Sequence, residues 1–517
     1  MKHFRTTCAV SALVSAALAQ GAAADITAED AWGAMRDLLA GSGYAVDGSE
    51  TRDGDTLVVS DLVFTMTTTP ATDADPAIDA GTTTVDFGTL RFTEAGDGTV
   101  RVQMPEVIPI TSTFDDPDTN MPVTANIAVT QTGADMIMSG TPDNIRQSFS
   151  ATAVDIALTS FDAPEAMLPP DAVHFSVNLA DISSSATVGQ GEPRPMEMSA
   201  KARTATFDMA FDVPDEGKGA ATGQMNALAF TGTGALPTGN TGGDLYAMLE
   251  GGYAVNGSFT YDSGTLSLSG EEEGQSFSVE SRSAAGQLDM AIDGDSLTYD
   301  VSQADTTVTA MLAELPFPLS LQAAAMKAGI TLPISKGDDA QDFKMLVNLQ
   351  DFVMSDMIWT MIDPQSILPR DPATLLVDLA GKARVFTDLL DPNLATRLEQ
   401  TGKMPGQLEA LDINALKLDL VGAQLTGTGA FTFDNTDVDG LGSGMPRPVG
   451  ELDLQLSGGN ALLDKLSQMG MIGPDEAGGA RMMMGLLAEP GDGPDTLKSK
   501  LEINAEGHII ANGQRIQ

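Results

Sequence analysis

An alternation of apolar and polar residues with a period of two runs through most of this chain. Thr56–Phe64 shows it, and Val173–Leu179, Ala205–Val213, Leu288–Asp293 and Leu411–Leu420 repeat it. Successive side chains of a strand point to opposite faces. Such segments therefore read as half-buried antiparallel strands with one apolar and one solvated face. The expected fold is mainly β: large curved antiparallel sheets with a few short covering helices, in two similar halves.

The solvated face is strongly acidic. The 517 residues carry 72 acids against 27 lysines and arginines, a formal net charge of -45. Such a surface repels phosphate backbones, and aromatic residues amount to only 5%. Nucleic-acid binding is excluded on those grounds. An outer-membrane barrel also alternates, but it carries aromatic girdles that are missing here.

The first residues read as a secretory signal peptide. Lys2, His3 and Arg5 precede a short apolar run from Ala9 to Leu18, and small residues at Ala17-Leu18-Ala19 and at Ala22-Ala23-Ala24 offer two cleavage patterns. The expected organisation is a signal peptide over 1–24, an N-terminal β-rich half over 25–240 and a C-terminal β-rich half with terminal helices over 241–517. Cys8, the one cysteine, falls inside the signal. The mature chain would then hold no disulfide, and a bacterial periplasm suits it, with outer-membrane association as a further expectation. No later stretch is apolar enough to read as a transmembrane helix.

The two halves share an order of elements. Thr27 and Asp30 form a capping-box pattern ahead of a helix with Trp32, Met35, Leu38 and Leu39 on one face. Thr241 and Asp244 repeat the capping pattern before Leu245–Leu249. Gly43-Tyr44-Ala45-Val46-Asp47-Gly48-Ser49 then matches Gly252-Tyr253-Ala254-Val255-Asn256-Gly257-Ser258. A hairpin is expected after each, so Tyr44 and Tyr253 mark an internal duplication with a boundary inside Thr231–Gly243. Further helices are expected at Leu319–Ala328, Met357–Ile362, within Leu389–Gln400, at Ala461–Met471 and at Pro474–Leu487. These helices are too few to cover every strand. The apolar face must either close on itself or cover something else.

Catalytic signals are weak. His174 and His508 stand singly, no cysteine or histidine cluster can hold zinc, and no serine elbow or phosphate loop is present. Asn435–Gly440 spaces its oxygens like a calcium loop, but Pro446 stands where the closing glutamate belongs. No metal and no cofactor is expected. Met482–Met484 suit core filling better than copper binding.

One segment is more specific. Leu349–Trp359 runs into Asp363-Pro364 and then Leu368-Pro369-Arg370-Asp371-Pro372-Ala373, and Ala511-Asn512-Gly513-Gln514-Arg515 closes the chain. Together these resemble an alphaproteobacterial envelope family, domain of unknown function 2125, across nearly the whole mature chain. The resemblance implies an envelope location and no reaction. Pro369, Asp371 and Pro372 would set a turn between a short helix and a strand. Trp359 and Arg370 are the candidate ligand contacts, with internal pairing of Arg370 to a carboxylate as the alternative.

The sequence thus points to a non-catalytic periplasmic envelope protein sheltering a lipid or an apolar partner, such as another envelope protein, against a curved sheet. A purely structural or protein-interaction module with a closed core is the first alternative. An acidic carbohydrate-active enzyme is the second.

Overall fold

The computed structural model describes residues 25–517 except positions 42, 69–80, 116–120, 164–168, 170–171, 214–216, 238–244, 273, 316, 403 and 438–445. The expected signal sequence therefore lies outside the described residues. So do Thr241, Asp244 and the position of the expected boundary.

The chain opens with α1 (Ala28–Gly41) and continues into β1 (Ala45–Asp53), β2 (Thr56–Thr68), β3 (Gly81–Glu94), β4 (Val100–Gln103), β5 (Val107–Asp115), β6 (Pro122–Thr132), β7 (Asp135–Thr141) and β8 (Asn144–Asp162). The longest strands follow: β9 (Val173–Gly189), β10 (Arg194–Val213) and β11 (Gly217–Leu236). After α2 (Leu245–Glu250) come β12 (Ala254–Tyr261), β13 (Ser263–Glu272), β14 (Gln275–Ser283), β15 (Ala285–Ile292), β16 (Ser296–Leu312), β17 (Leu319–Pro333) and β18 (Gln341–Met354). Then α3 (Asp356–Ile362), β19 (Ala373–Val385), α4 (Leu394–Thr401), β20 (Gly406–Leu420), β21 (Ala423–Asp434) and β22 (Arg447–Ser457) lead to α5 (Gly459–Gln468) and α6 (Pro474–Leu487). Four short strands end the chain: β23 (Glu489–Pro490), β24 (Thr496–Ile503), β25 (Ile509–Ala511) and β26 (Gln514–Arg515).

All these strands belong to one antiparallel sheet, as the alternation predicts. Its plan is a meander. Some legs are single strands, such as β8 to β11. Others are two strands in line: β12 and β13 both lie along β11, and β14 and β15 lie next to them. Among the described residues β1 pairs only with β2 and β26 only with β25, so the sheet is open and not a closed barrel. The ladder runs unbroken from β11 to β12 and β13, so both halves share one sheet.

A line of left-handed residues creases this sheet. Asp181 in β9, Ala227 in β11, Asp305 in β16 and Asp351 in β18 have φ of 50°, 53°, 46° and 50°. The registers place Asp181 opposite Arg203, Arg203 opposite Ala227, Asp305 opposite Ala324 and Ala324 opposite Asp351. The breaks at Asp262 and Ala284 fall on the same line. Asp262 N donates to Asn226 O at 3.0 Å, and Ala284 N to Ala304 O at 3.0 Å. Pairing keeps the same register on both sides of the line. Aspartate tolerates this backbone better than most residues. Arg203 Nε also donates to Asp181 Oδ2 at 2.5 Å, tying two strands at the bend. The apolar series changes phase at each of these residues, from Val177 and Leu179 to Ile182, and from Val347 and Leu349 to Phe352.

The densest core sits at the N-terminal end. Trp32 of α1 packs with Phe92, Leu57, Val59, Leu62, Leu90 and Val100, its ring 5.8 Å from that of Phe92, and its indole donates to Glu50 Oε1 at 2.6 Å. The helix begins as expected, because Thr27 N donates to Asp30 Oδ2 at 2.9 Å and Asp30 N to Thr27 Oγ1 at 3.1 Å. The repeated Gly-Tyr segments end α1 and α2 in the same way. Tyr44 N bonds Leu39 O and Gly43 N bonds Ala40 O; Tyr253 N bonds Met248 O and Gly252 N bonds Leu249 O. Gly43 and Gly252 have φ of 92° and 86°, which a side chain would oppose.

Three expectations are corrected. Leu319–Ala328 is strand, not helix. Its alanines favour a helix, but both edges of β17 are taken up by ladders to β16 and β18, and tertiary pairing overrides local propensity. The second hairpin forms one strand later than the first, between β13, which holds Leu266–Ser269, and β14, because β12 does not pair with β13 and Asp262 only bends the chain along β11. Thr231 to Leu236 belongs to β11 and is not linker.

Tyr246 of α2 reaches Asp388 at 3.4 Å, because the loop after β19 folds back along the end of the sheet, where Leu389 N donates to Ile334 O at 2.8 Å and Lys336 N to Asp388 Oδ1 at 2.9 Å.

Glu94 locks α1 to the sheet, accepting Ala28 N at 3.0 Å and Arg52 Nη2 at 2.9 Å. The Ala28 amide and the Arg52 guanidinium hold its carboxyl below the usual range. A depressed carboxylate stabilises the fold above its unfolded pKa, and this is lost as pH falls through the lower native value. Glu94→Gln should therefore be destabilised at neutral pH by about 1–2 kcal/mol, with a smaller deficit at acid pH, as urea titration at several pH values would measure.

Candidate apolar binding face

Residues directly paired across neighbouring strands share a face. The register therefore traces rows across the sheet. One row runs Phe230, Phe259, Leu288, Val301, Ala328, Val347 and Val377. The next row on that face runs Met290, Tyr299, Ile330, Met345 and Leu379. The opposite face carries Ser258, Asp289 and Asp300 in one row, two carboxylates directly paired. The greasy and acidic faces read from the alternation are thus real in this part of the sheet.

The apolar face is left open here. Met290, Tyr299, Ile330 and Met345 are 44%, 43%, 36% and 41% exposed, and they are consecutive in one row. Isolated exposed apolar residues are ordinary, whereas a contiguous row marks an interaction surface. Three of the helices pack elsewhere: α1 on β1 to β3, α5 on β21 and α6 on β24. α3 meets β17 at the opposite end from Ile330, where Ser355 N donates to Ser320 O.

The segment that carries the resemblance forms a compact knot. Trp359 is buried on α3, and the Arg370 guanidinium lies 5.8 Å from its ring centroid. Arg370 also donates to Asp356 Oδ1 at 2.7 Å and Ser366 Oγ at 3.0 Å. The charge of Arg370 is thus paired internally. Pro369 packs on Gly422, in the two-residue turn Val421-Gly422 between β20 and β21. Gly422 has φ of 84°, and a Cβ there would meet Pro369 Cγ at 2.9 Å. Asp371 and Pro372 are exposed and lead into β19. Tyr44 and Tyr253 serve helix ends, not this segment.

Sequence reasoning missed Asp363, the centre of the knot. It is fully buried. Its amide closes α3 on Trp359 O at 2.7 Å, and its Oδ2 accepts Leu368 N at 2.7 Å. Burial opposes its charge, yet the amides of Ile367 and Leu368 and the charge of Arg370 hold its carboxyl below the usual range. The only signal was Asp363-Pro364 as a helix stop.

The other candidates show simple partners. Asp434, beside the calcium-like loop, and Asp437, within it, pair with Arg447 at 2.9 and 2.7 Å; residues 438–440 lie outside the described residues. His174 is exposed, 3.9 Å from Asp208. Among the described residues no group of three metal-ligating side chains forms, and no helix is long and apolar enough to cross a membrane.

Residues 259–508 match a family described as "Uncharacterized protein conserved in bacteria (DUF2125)". Over that span the chain is similar to the DUF2125 family. The match takes in both the exposed row and the Trp359–Arg370 knot, while α1 and its core fall outside it. No curated protein and no solved structure matches the chain.

Asp363→Ala would leave the buried Leu368 amide without its partner. It should cost roughly 1–3 kcal/mol, read as a lower urea midpoint, and should release Trp359 fluorescence towards that of an exposed indole.

Proposed function

We propose that this protein is a non-catalytic envelope protein of the bacterial periplasm that shelters a lipid acyl chain against its creased sheet. The observation that supports this most is the exposed row Met290–Tyr299–Ile330–Met345. Methionine and aliphatic side chains make an adaptable apolar floor, and strands on both sides continue it. The acidic opposite face keeps such a sheet soluble and separate from its copies. The signal-like start supports export, and outer-membrane association would place the protein beside its lipid. The matching ends of α1 and α2 support an internal duplication, which would lengthen the apolar floor along the meander.

Protein isolated from the periplasm should carry copurified lipid detectable by native mass spectrometry. Met290→Asp together with Ile330→Asp places charge on the exposed floor, where folding is least affected and acyl contact most disfavoured. That variant should lose at least five-fold of the bound lipid at unchanged circular dichroism. Empty wild-type protein, or a variant that keeps its lipid, would rule the proposal out.

A further inference from the structure

The crease interrupts the apolar face with a small polar patch. Tyr261, Gly286, Gln303, Met326 and Leu349 form one row beside the crease. This row lies two residues along from Phe259, Leu288, Val301, Ala328 and Val347, and so on the same face. Tyr261 lies across the crease over two glycines. A Cβ on Gly286 would meet its Cζ at 2.2 Å, and one on Gly264 its Cε2 at 3.0 Å. The Tyr261 hydroxyl meets Ser283 Oγ, beyond the crease, at 3.1 Å and accepts from Gln303 Nε2 at 3.2 Å.

Thr306 adds a further hydroxyl. It pairs with Ala323, two residues before the apolar pair Val308 and Leu321. Arg282 pairs with Thr307, so Ser283 and Thr306 are the next positions on these neighbouring strands. Thr306 is only 4% exposed, and among the described residues its Oγ1 has no hydrogen-bond partner. A buried hydroxyl left in this way is costly unless something satisfies it.

The patch has donors to spare. With Gln303 donating to Tyr261 and Tyr261 to Ser283, the hydroxyl hydrogens of Ser283 and Thr306 and the second amide hydrogen of Gln303 remain. None of the residues in these two rows is charged. Neutral donors in an apolar setting suit a neutral acceptor, because an anion would lose its water there without gaining a countercharge. From Gln303 to Tyr299, in the exposed row, is four residues of β16, about 13 Å.

We infer that the patch at the crease holds the ester carbonyl of an acyl lipid, which accepts hydrogen bonds from Ser283, Gln303 and Thr306 while its chain runs over Leu288 and Val301 to Met290 and Tyr299. This rests on the acyl-floor reading and adds the class of lipid, an ester and not a fatty-acid anion.

Calorimetric titration of the full chain with monodecanoylglycerol and monodecylglycerol, an ester and an ether that differ by the carbonyl alone, tests it. The ester should bind about five-fold more tightly than the ether. Ser283→Ala/Gln303→Met/Thr306→Val should bring that ratio close to one, with circular dichroism verifying the fold. Thr306→Val alone breaks no hydrogen bond of the free protein, so it should lower the ratio without lowering the urea midpoint. Decanoyl lysophosphatidylcholine carries the same ester, and its rank against monodecanoylglycerol tells a phospholipid source from a glyceride. Equal binding of ester and ether by the wild type, or an unchanged ratio in either variant, would overturn the ester site and leave the acyl floor standing. Binding of neither compound would overturn both.

Discussion

Register conserved through a bend is the constraint on which the rest of this protein depends. Every strand takes its backbone partners from its neighbours in one antiparallel ladder. A bent strand would break that ladder unless its neighbours bent at the same level. They do: Asp181, Ala227, Asp305 and Asp351 fall on one line, with the breaks at Asp262 and Ala284 between them. A one-residue phase change in a strand ordinarily moves its apolar set to the other face. Here the phase change coincides with a left-handed residue in β9, β11, β16 and β18, and β10 and β17 cross the same line at Arg203 and Ala324, so the pattern and the bend are one feature. Small buried residues, Ala205, Ala323 and Thr306, flank the line and let the backbone fold closely there.

The distribution of cover follows from this plan. A meander gives each strand two partners but puts nothing on its faces. The N-terminal strands enclose α1 and gain a dense core around Trp32 and Phe92. The central strands have no such plug on the row through Met290 and Ile330. The contrast separates a region stabilised by burial from one available for contact. The matched DUF2125 span contains the second region and not the first. The knot of Trp359, Asp363 and Arg370 closes the crossing between β18 and β19, where the chain leaves the sheet and returns.

Much of the architecture was legible. The period of two identified the strands, and the capping pattern of Thr27 and Asp30 placed α1. Pro474 and the apolar run to Leu487 marked α6. Leu319–Ala328 failed because alanine-rich composition carries no record of partners on both sides. The hairpin expected after Tyr253 is displaced by one strand, to β13 and β14, for a related reason: Asp262 looks like a turn, but the waiting edge of β11 pairs with the chain on both sides of it. Asp363 was missed because a buried carboxylate and an exposed one look alike in sequence; only its amide partners distinguish it.

The sequence by itself determined that this would be an antiparallel β protein with one apolar and one acidic face, because side-chain direction alternates locally along a strand. It also set the helix ends, since Gly43 and Gly252 allow a backbone that other residues oppose. Only the tertiary structure decided which apolar residues lie side by side, because the row through Met290, Tyr299, Ile330 and Met345 is made by register between distant strands.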